Sequence, residues 1–263
     1  MLPLRDENPT IRKPILTIAL ILACVAVYFF VQPSGLNATD QSAESDAAFT
    51  VQYAAIPCEV VEGRPLTINE LNRTFGAGDP NSCDGGDTSP EGFPKKNVYL
   101  ALMFSMFMHA GLLHIGGNML FLWVFGNNIE DRIGPLPYLA FYLLGGLAAT
   151  AAHVALDPNS TVPVVGASGA VAAVMGAYLV LYPRHRIHSL ILLGFFIFFR
   201  PLRAWMLLGF WFLSQFFIDP NSGVAWVAHV GGFAFGVLGG LLMRATTSGP
   251  DHPNEWDVVS LRA

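Results

Sequence analysis

What most constrains this chain is its division into long apolar runs separated by short polar stretches. Six runs can be drawn, at about residues 14–31, 99–126, 136–155, 167–182, 202–218 and 225–243. Each comes near the roughly 20 residues that cross a hydrocarbon core as an α-helix. Lipid offers no water to backbone N–H and C=O groups, so spanning segments of this kind must satisfy them internally. The expectation is an all-α membrane protein built as a bundle of six transmembrane helices. Composition agrees: 13% of the residues are charged, against about 25% in soluble domains. The net charge of −5 says little about function. No basic, aromatic-laced patch suggests nucleic acid, so the partner expected is the lipid bilayer.

Lysine and arginine set the orientation. Arg5, Arg12 and Lys13 precede the first run, and Arg132 follows the second. Arg184, Arg186, Arg200 and Arg203 lie between the fourth and fifth, and Arg244 follows the sixth. The opposite side has only Arg64, Arg73, Lys95 and Lys96, spread over an insert at 32–98. The bias assigns 1–13 and the tail 244–263 to the cytoplasm, and the insert to the outside. The first run reads as a retained helix, because no small-x-small cleavage site precedes Gln32-Pro33-Ser34. The stretch 188–199, HSLILLGFFIFF, is apolar but too short to span, so an interfacial or partly buried segment is expected there.

Within the insert, residues 34–48 are polar and read as mobile. Residues 67–75 can form a short helix, capped by Thr67 with Glu70 three residues on. Residues 77–92 are turn-rich. Cys58 and Cys83 can pair if the insert faces an oxidising compartment, although spacing does not fix the geometry. Cys24 reads as packing. Lid, substrate contact and linker all remain open as roles for the insert.

Polar side chains inside apolar runs are costly and need a reason. In the second run, His114 and Asn118 lie one helical turn apart on one face. His109 falls on a different face, near the outer end. Hydrogen bonding between helices is the plain alternative for each. No HExxH pattern or accompanying acid is present, so neither a metal nor a cofactor is expected. In the fourth run, Ser168 sits in Val165-Gly166-Ala167-Ser168-Gly169-Ala170, where a Pro- and Gly-bearing loop becomes a helix. Free N–H groups at a helix start suit a developing oxyanion, while small residues around a serine also serve close packing. The sixth run has one ionisable group, His229, followed by glycines at 232, 236 and 240. That smooth stripe permits tight helix contact. If the partner is the fourth run, Ser168 gains a base. No Asp or Glu within the runs can orient the imidazole. A Ser-His dyad is therefore expected, with Trp226 or nearby aromatics steadying the ring.

Together these motifs resemble the rhomboid intramembrane serine proteases. The resemblance covers about residues 98–243: His114-x-x-x-Asn118, then Gly166-Ala-Ser168-Gly169-Ala170, then Ala228-His229-x-Gly231-Gly232-x-x-x-Gly236. FGNNIEDRIG (125–134) and GVAWVAHVGG (223–232) resemble bacterial members. It implies a rhomboid core over 99–243 following a first helix at 14–31. Ser168 would be the nucleophile and His229 the general base and acid. His114, Asn118 and the Ser168 backbone N–H would form the oxyanion hole. Gly166, Gly169, Gly232 and Gly236 would be structural. Glu130 and Arg132 match a family feature read as structural, with a solvated charge pair as the alternative. Substrates would be membrane proteins with small residues at the cut. The site would open to the outer side of a bacterial inner membrane, both termini being cytoplasmic. One departure stands out: Ala172 occupies the place where the best-studied members stack an aromatic on the histidine. Two rival readings are an inactive rhomboid-like protein that binds or escorts membrane clients, and a transporter. The first would be indifferent to Ser168, and the second lacks paired intramembrane acids.

Overall fold

The computed structural model describes residues 1–33, 40–193, 196–219 and 223–247. In chain order the elements are β1 (Leu2–Asp6), α1 (Ile15–Ala26, prolonged by a π-helical turn Val27–Val31), α2 (Asp40–Tyr53), α3 (Pro57–Glu62), α4 (Ile68–Leu71), α5 (Val98–Phe104), α6 (Leu112–Ile133), α7 (Pro135–Leu156), α8 (Ser168–Leu181), β2 (Arg186–Leu193), β3 (Phe196–Arg203), α9 (Ala204–Gln215) and α10 (Trp226–Thr246). The fold is mostly helical. Of the described helices, α7 and α10 are each long and apolar enough to cross a membrane. α5 and α6 pass that test only as a pair, bent by 80° at a break. α1 with its π turn, and α8, are shorter apolar helices. Most of the tail at 244–263, and Pro220-Asn221, lie outside the described residues.

α8 occupies the centre because its residues are small. Every residue from Gly169 to Tyr178 is buried, and α6, α7 and α10 all pack on it. At its glycines and alanines the neighbours approach to backbone contact.

Three expectations need correction. The second run is not one helix over 99–126. Residues 108–111 break it, and α6 continues to Ile133. The break is tolerated because Gln32 bonds both ways to its backbone: the His109 N–H donates to Gln32 Oε1 at 2.9 Å, and Gln32 Nε2 donates to the His109 carbonyl at 2.9 Å. Irregular backbone survives at such depth only when protein satisfies it. Second, the chain is not all-α. β2 and β3 pair antiparallel, and β1 adds to β2, pairing Leu2 with Leu190 and Asp6 with Ile187. A run too short to span but rich in Ile, Leu and Phe satisfies its backbone more readily by strand pairing. Third, the part of the polar stretch from Asp40 onward is helical, while 34–39 lie outside the described residues.

Glu130 and Arg132 take separate partners. Glu130 is buried on α6 and caps a different helix: its carboxylate accepts from the Leu16 N–H at 2.9 Å, the Thr17 N–H at 2.8 Å and Thr17 Oγ1 at 2.7 Å. Those amides belong to the first turn of α1, which has no side-chain cap of its own. Arg132 donates to Thr247 Oγ1 at 2.9 Å, just beyond α10. Glu130→Ala should destabilise the protein by about 3 kcal/mol, since it strands buried donors; thermal unfolding in lipid nanodiscs reads it.

The insert is folded and cross-braced. Cys58 and Cys83 form a disulfide with a Cα–Cα separation of 5.7 Å. Lys96 and Glu59 form a buried ion pair, and Lys96 Nζ donates to the Val51 carbonyl at 2.6 Å. The expected capping box is present at Thr67 and Glu70, with a π-helical turn (Asn72–Gly76) extending α4. Glu70 is a hub that accepts from Arg64 Nη1 and Nη2 at 2.9 Å, and from the Thr67 and Asp84 N–H groups at 2.8 Å. Desolvation works to raise its pKa, but the hydrogen bonds from Arg64, Thr67 and Asp84 outweigh it and hold the pKa below the ordinary glutamate value. A depressed carboxylate pKa contributes stability that is fully present above the ordinary glutamate range and lost as pH falls below it. Acid should therefore loosen the insert in that window. Glu70→Gln should flatten the dependence, as read by hydrogen exchange of residues 64–87.

Candidate active site

The insert and the loop before α8 meet at one end of the bundle. Ala55 pairs with Val164 across an isolated bridge, and the Cys58 N–H donates to the Ser160 carbonyl at 2.9 Å. The loop then turns sharply at Gly166, whose φ of +124° suits glycine. The Gly166 N–H donates to the Ser105 carbonyl at 2.9 Å. A Cβ at Gly166 would lie 2.8 Å from His114 Nε2. Glycine here serves both the turn and the approach of His114. Ser168 follows as the first residue of α8, where backbone N–H groups have no intrahelical acceptor.

The glycines of α8 and α10 interlock. A Cβ on Gly232 would overlap the Gly169 carbonyl, one on Gly236 the Ala173 carbonyl, and one on Gly176 the Phe233 carbonyl. A Cβ on Gly169 would come within 2.5 Å of the Ala149 Cβ. This close contact sets His229 beside the start of α8. Its Nε2 lies 2.8 Å from Ser168 Oγ.

Two residues of α9 complete the surroundings of the imidazole. Gln215 Oε1 lies 2.7 Å from His229 Nδ1, and the Trp211 ring centre is 5.9 Å from that of His229. Of the aromatics expected there, Trp226 itself stands beside Phe216, and Trp211 is the one beside the imidazole. Ala172 is fully buried in α8 and leaves the ring to α9. Sequence reading passed over Gln215. The signal was there: Ser214 and Gln215 are polar side chains at the end of a run that is otherwise apolar and aromatic.

Across the serine stand His114 and Asn118. The Ala110 N–H donates to His114 Nδ1 at 3.3 Å, leaving Nε2 to carry the ring proton. Asn118 Nδ2 donates to the His114 carbonyl at 3.0 Å. His109 is buried in the break and packs edge-on against His114, with ring centres 5.2 Å apart. All four residues, His114, Asn118, Ser168 and His229, line one cavity of about 570 Å³. A serine hydroxyl bonded to an imidazole, facing N–H donors across a cavity, is an arrangement suited to acyl transfer.

The Rhomboid domain matches residues 96–246. The chain belongs to the rhomboid family. Among its relatives, the RHOMBOID-like protein 12, mitochondrial, of Arabidopsis thaliana is 34% identical over 157 residues, covering 52% of this chain and 44% of that protein. Rhomboid-related protein 2 of Mus musculus is 35% identical over 134 residues, covering 49% and 43%. Rhomboid protease GluP of Bacillus subtilis is 31% identical over 106 residues, covering 36% and 20%. The chain thus spans less than half the length of the curated relatives it matches. They include mitochondrial and bacterial proteins, so its likeness is not particular to bacterial rhomboids. Family membership and the apolar helices make it an integral membrane protein.

Proposed function

We propose that this rhomboid is a serine endopeptidase that hydrolyses peptide bonds in or near transmembrane segments of other membrane proteins. The observation that carries the reading is the 2.8 Å contact between Ser168 Oγ and His229 Nε2 in the lining of the cavity. His229 Nε2 takes the Ser168 proton as Oγ attacks the scissile carbonyl carbon, and later returns it to the leaving amine. The oxyanion of the tetrahedral intermediate faces the Ser168 N–H, His114 Nε2–H and Asn118 Nδ2, the last released from the His114 carbonyl. The reading takes as substrates membrane proteins with small residues at the cut. No metal or cofactor enters this scheme.

The same reading places six crossings at α1, α6, α7, α8, α9 and α10, with the break and α5 leading into α6. Both termini and the arginine-flanked strands β2 and β3 then share the cytoplasmic side. The insert with its disulfide shares the Ser168 end of the bundle, which fits an oxidising outer face such as that of a bacterial plasma membrane.

The test is cleavage of a single-span substrate, with alanine at the cut, by purified protein in lipid. The expected result is cleavage at one site into two fragments, unaffected by a chelator and blocked by a fluorophosphonate that labels Ser168. A folded protein that cuts no helix-weakened substrate would overturn the reading in favour of client binding.

A further inference from the structure

We propose that Gln215 is a positioning residue that holds His229 in the tautomer the reaction needs, making the site a Ser-His-Gln triad in place of a dyad. The inference rests on the proteolytic reading for its rate consequences, and on geometry alone for the tautomer. A glutamine amide has one donor end and one acceptor end, and its neighbours decide which way it points. Gln215 Nε2 lies 3.0 Å from the Trp211 carbonyl, which can only accept. It also lies 3.3 Å from Ser214 Oγ, whose own proton is directed to the Trp211 carbonyl at 2.6 Å. Both contacts require the NH2 group on that side. Reversing the amide would set Oε1 against a carbonyl oxygen.

The acceptor Oε1 therefore faces His229 Nδ1 at 2.7 Å, so Nδ1 carries the proton. A neutral imidazole has only one N–H. Nε2 is then bare, and at 2.8 Å from Ser168 Oγ it can only accept the serine proton. The chain of polarity runs from a backbone carbonyl of α9 through Gln215 to the imidazole of α10 and the hydroxyl of α8. Gln215 is buried, so water does not compete for the imidazole proton, and a buried hydrogen bond is correspondingly strong. The neutral amide orients the ring as the aspartate of other serine hydrolases does, without placing a second charge at membrane depth. It supplies the orientation that Ala172 cannot.

The experiment compares wild type, Gln215→Met and Gln215→Glu in lipid. Three quantities are read: the ¹⁵N shifts of His229, the rate of fluorophosphonate labelling at Ser168, and kcat against KM for the single-span substrate. Wild type should show protonated Nδ1. Gln215→Met, close in shape but without an acceptor, should lose that signature and lower labelling and kcat by roughly tenfold or more with KM little changed. Gln215→Glu in its neutral acid form keeps both ends of the amide, an O–H toward the Trp211 carbonyl and a C=O toward His229 Nδ1, and should recover most of the lost rate at mildly acidic pH. Protonated Nδ1 retained in Gln215→Met, or labelling within twofold of wild type, would overturn the proposal. Equal loss in both variants would do the same, assigning Gln215 to packing alone. A wild type that labels at Ser168 yet cuts nothing would sink the proteolytic reading, while tautomer and labelling rate still decide this one.

Discussion

Ser168→Ala is expected to lower the cleavage rate by about 10⁴-fold or more while leaving the protein folded. The hydroxyl's observed partner is His229 Nε2 at 2.8 Å, and that imidazole keeps its bond to Gln215 when the hydroxyl is removed. Alanine fits the first turn of α8, whose neighbours are alanine and glycine, and adds no volume. The thermal midpoint should therefore stay within a few degrees, as for changes worth under about 1 kcal/mol. His229→Ala should cost a similar factor, because without a base the hydroxyl is a poor nucleophile. The double variant should be scarcely slower than either single one, since the two groups act as a unit. The measurement is fragment formation over days at high enzyme concentration. A fragment from Ser168→Ala at more than about one-hundredth of the wild-type rate would exclude Ser168 as nucleophile, whatever the fold.

Those two residues were legible because the sequence marks them by contrast. A serine among glycine and alanine at a helix start, and one histidine in an apolar run, stand out against a lipid-facing background. Their meeting was legible only conditionally, through the glycine stripe, and the interlocking of Gly232 and Gly236 with carbonyls of α8 supplies the condition. The features that stayed hidden depend on partners far away in the chain. The break at 108–111 is stable because Gln32 satisfies it from 77 positions earlier. The resemblance marks Glu130 as structural, but its partners, the amides of Leu16 and Thr17, lie 114 and 113 positions away. The strands β2 and β3 hid for another reason: a short apolar run obeys the periodicity of a strand and of a buried helix equally well. Only pairing, of β2 with β3 and with β1, distinguishes them. Gln215 hid behind the search for a carboxylate, although a neutral amide places the same acceptor at lower cost in lipid.

The same interlock predicts the largest stability effect. Gly236→Val should prevent stable folding, and Gly236→Ala should destabilise by about 2 kcal/mol, in line with overpacking elsewhere. The obstruction is backbone: a Cβ on Gly236 would overlap the carbonyl oxygen of Ala173, with the Ala173 Cα at 2.8 Å. A side-chain neighbour could change rotamer, but a helix carbonyl cannot move without its hydrogen-bond ladder. The two helices must separate instead. Separation also opens the gap between His229 and Ser168, so Gly236→Ala should lose cleavage beyond what its folded fraction explains. Gly209→Ala on α9 is the matched control, because nothing lies within 4 Å of a Cβ there. It should be neutral, or stabilising by up to about 1 kcal/mol through helix propensity. Unfolding by titration with a denaturing detergent separates the outcomes. If Gly236→Ala matched Gly209→Ala in both stability and cleavage, close α8–α10 contact would not be what brings serine and histidine together.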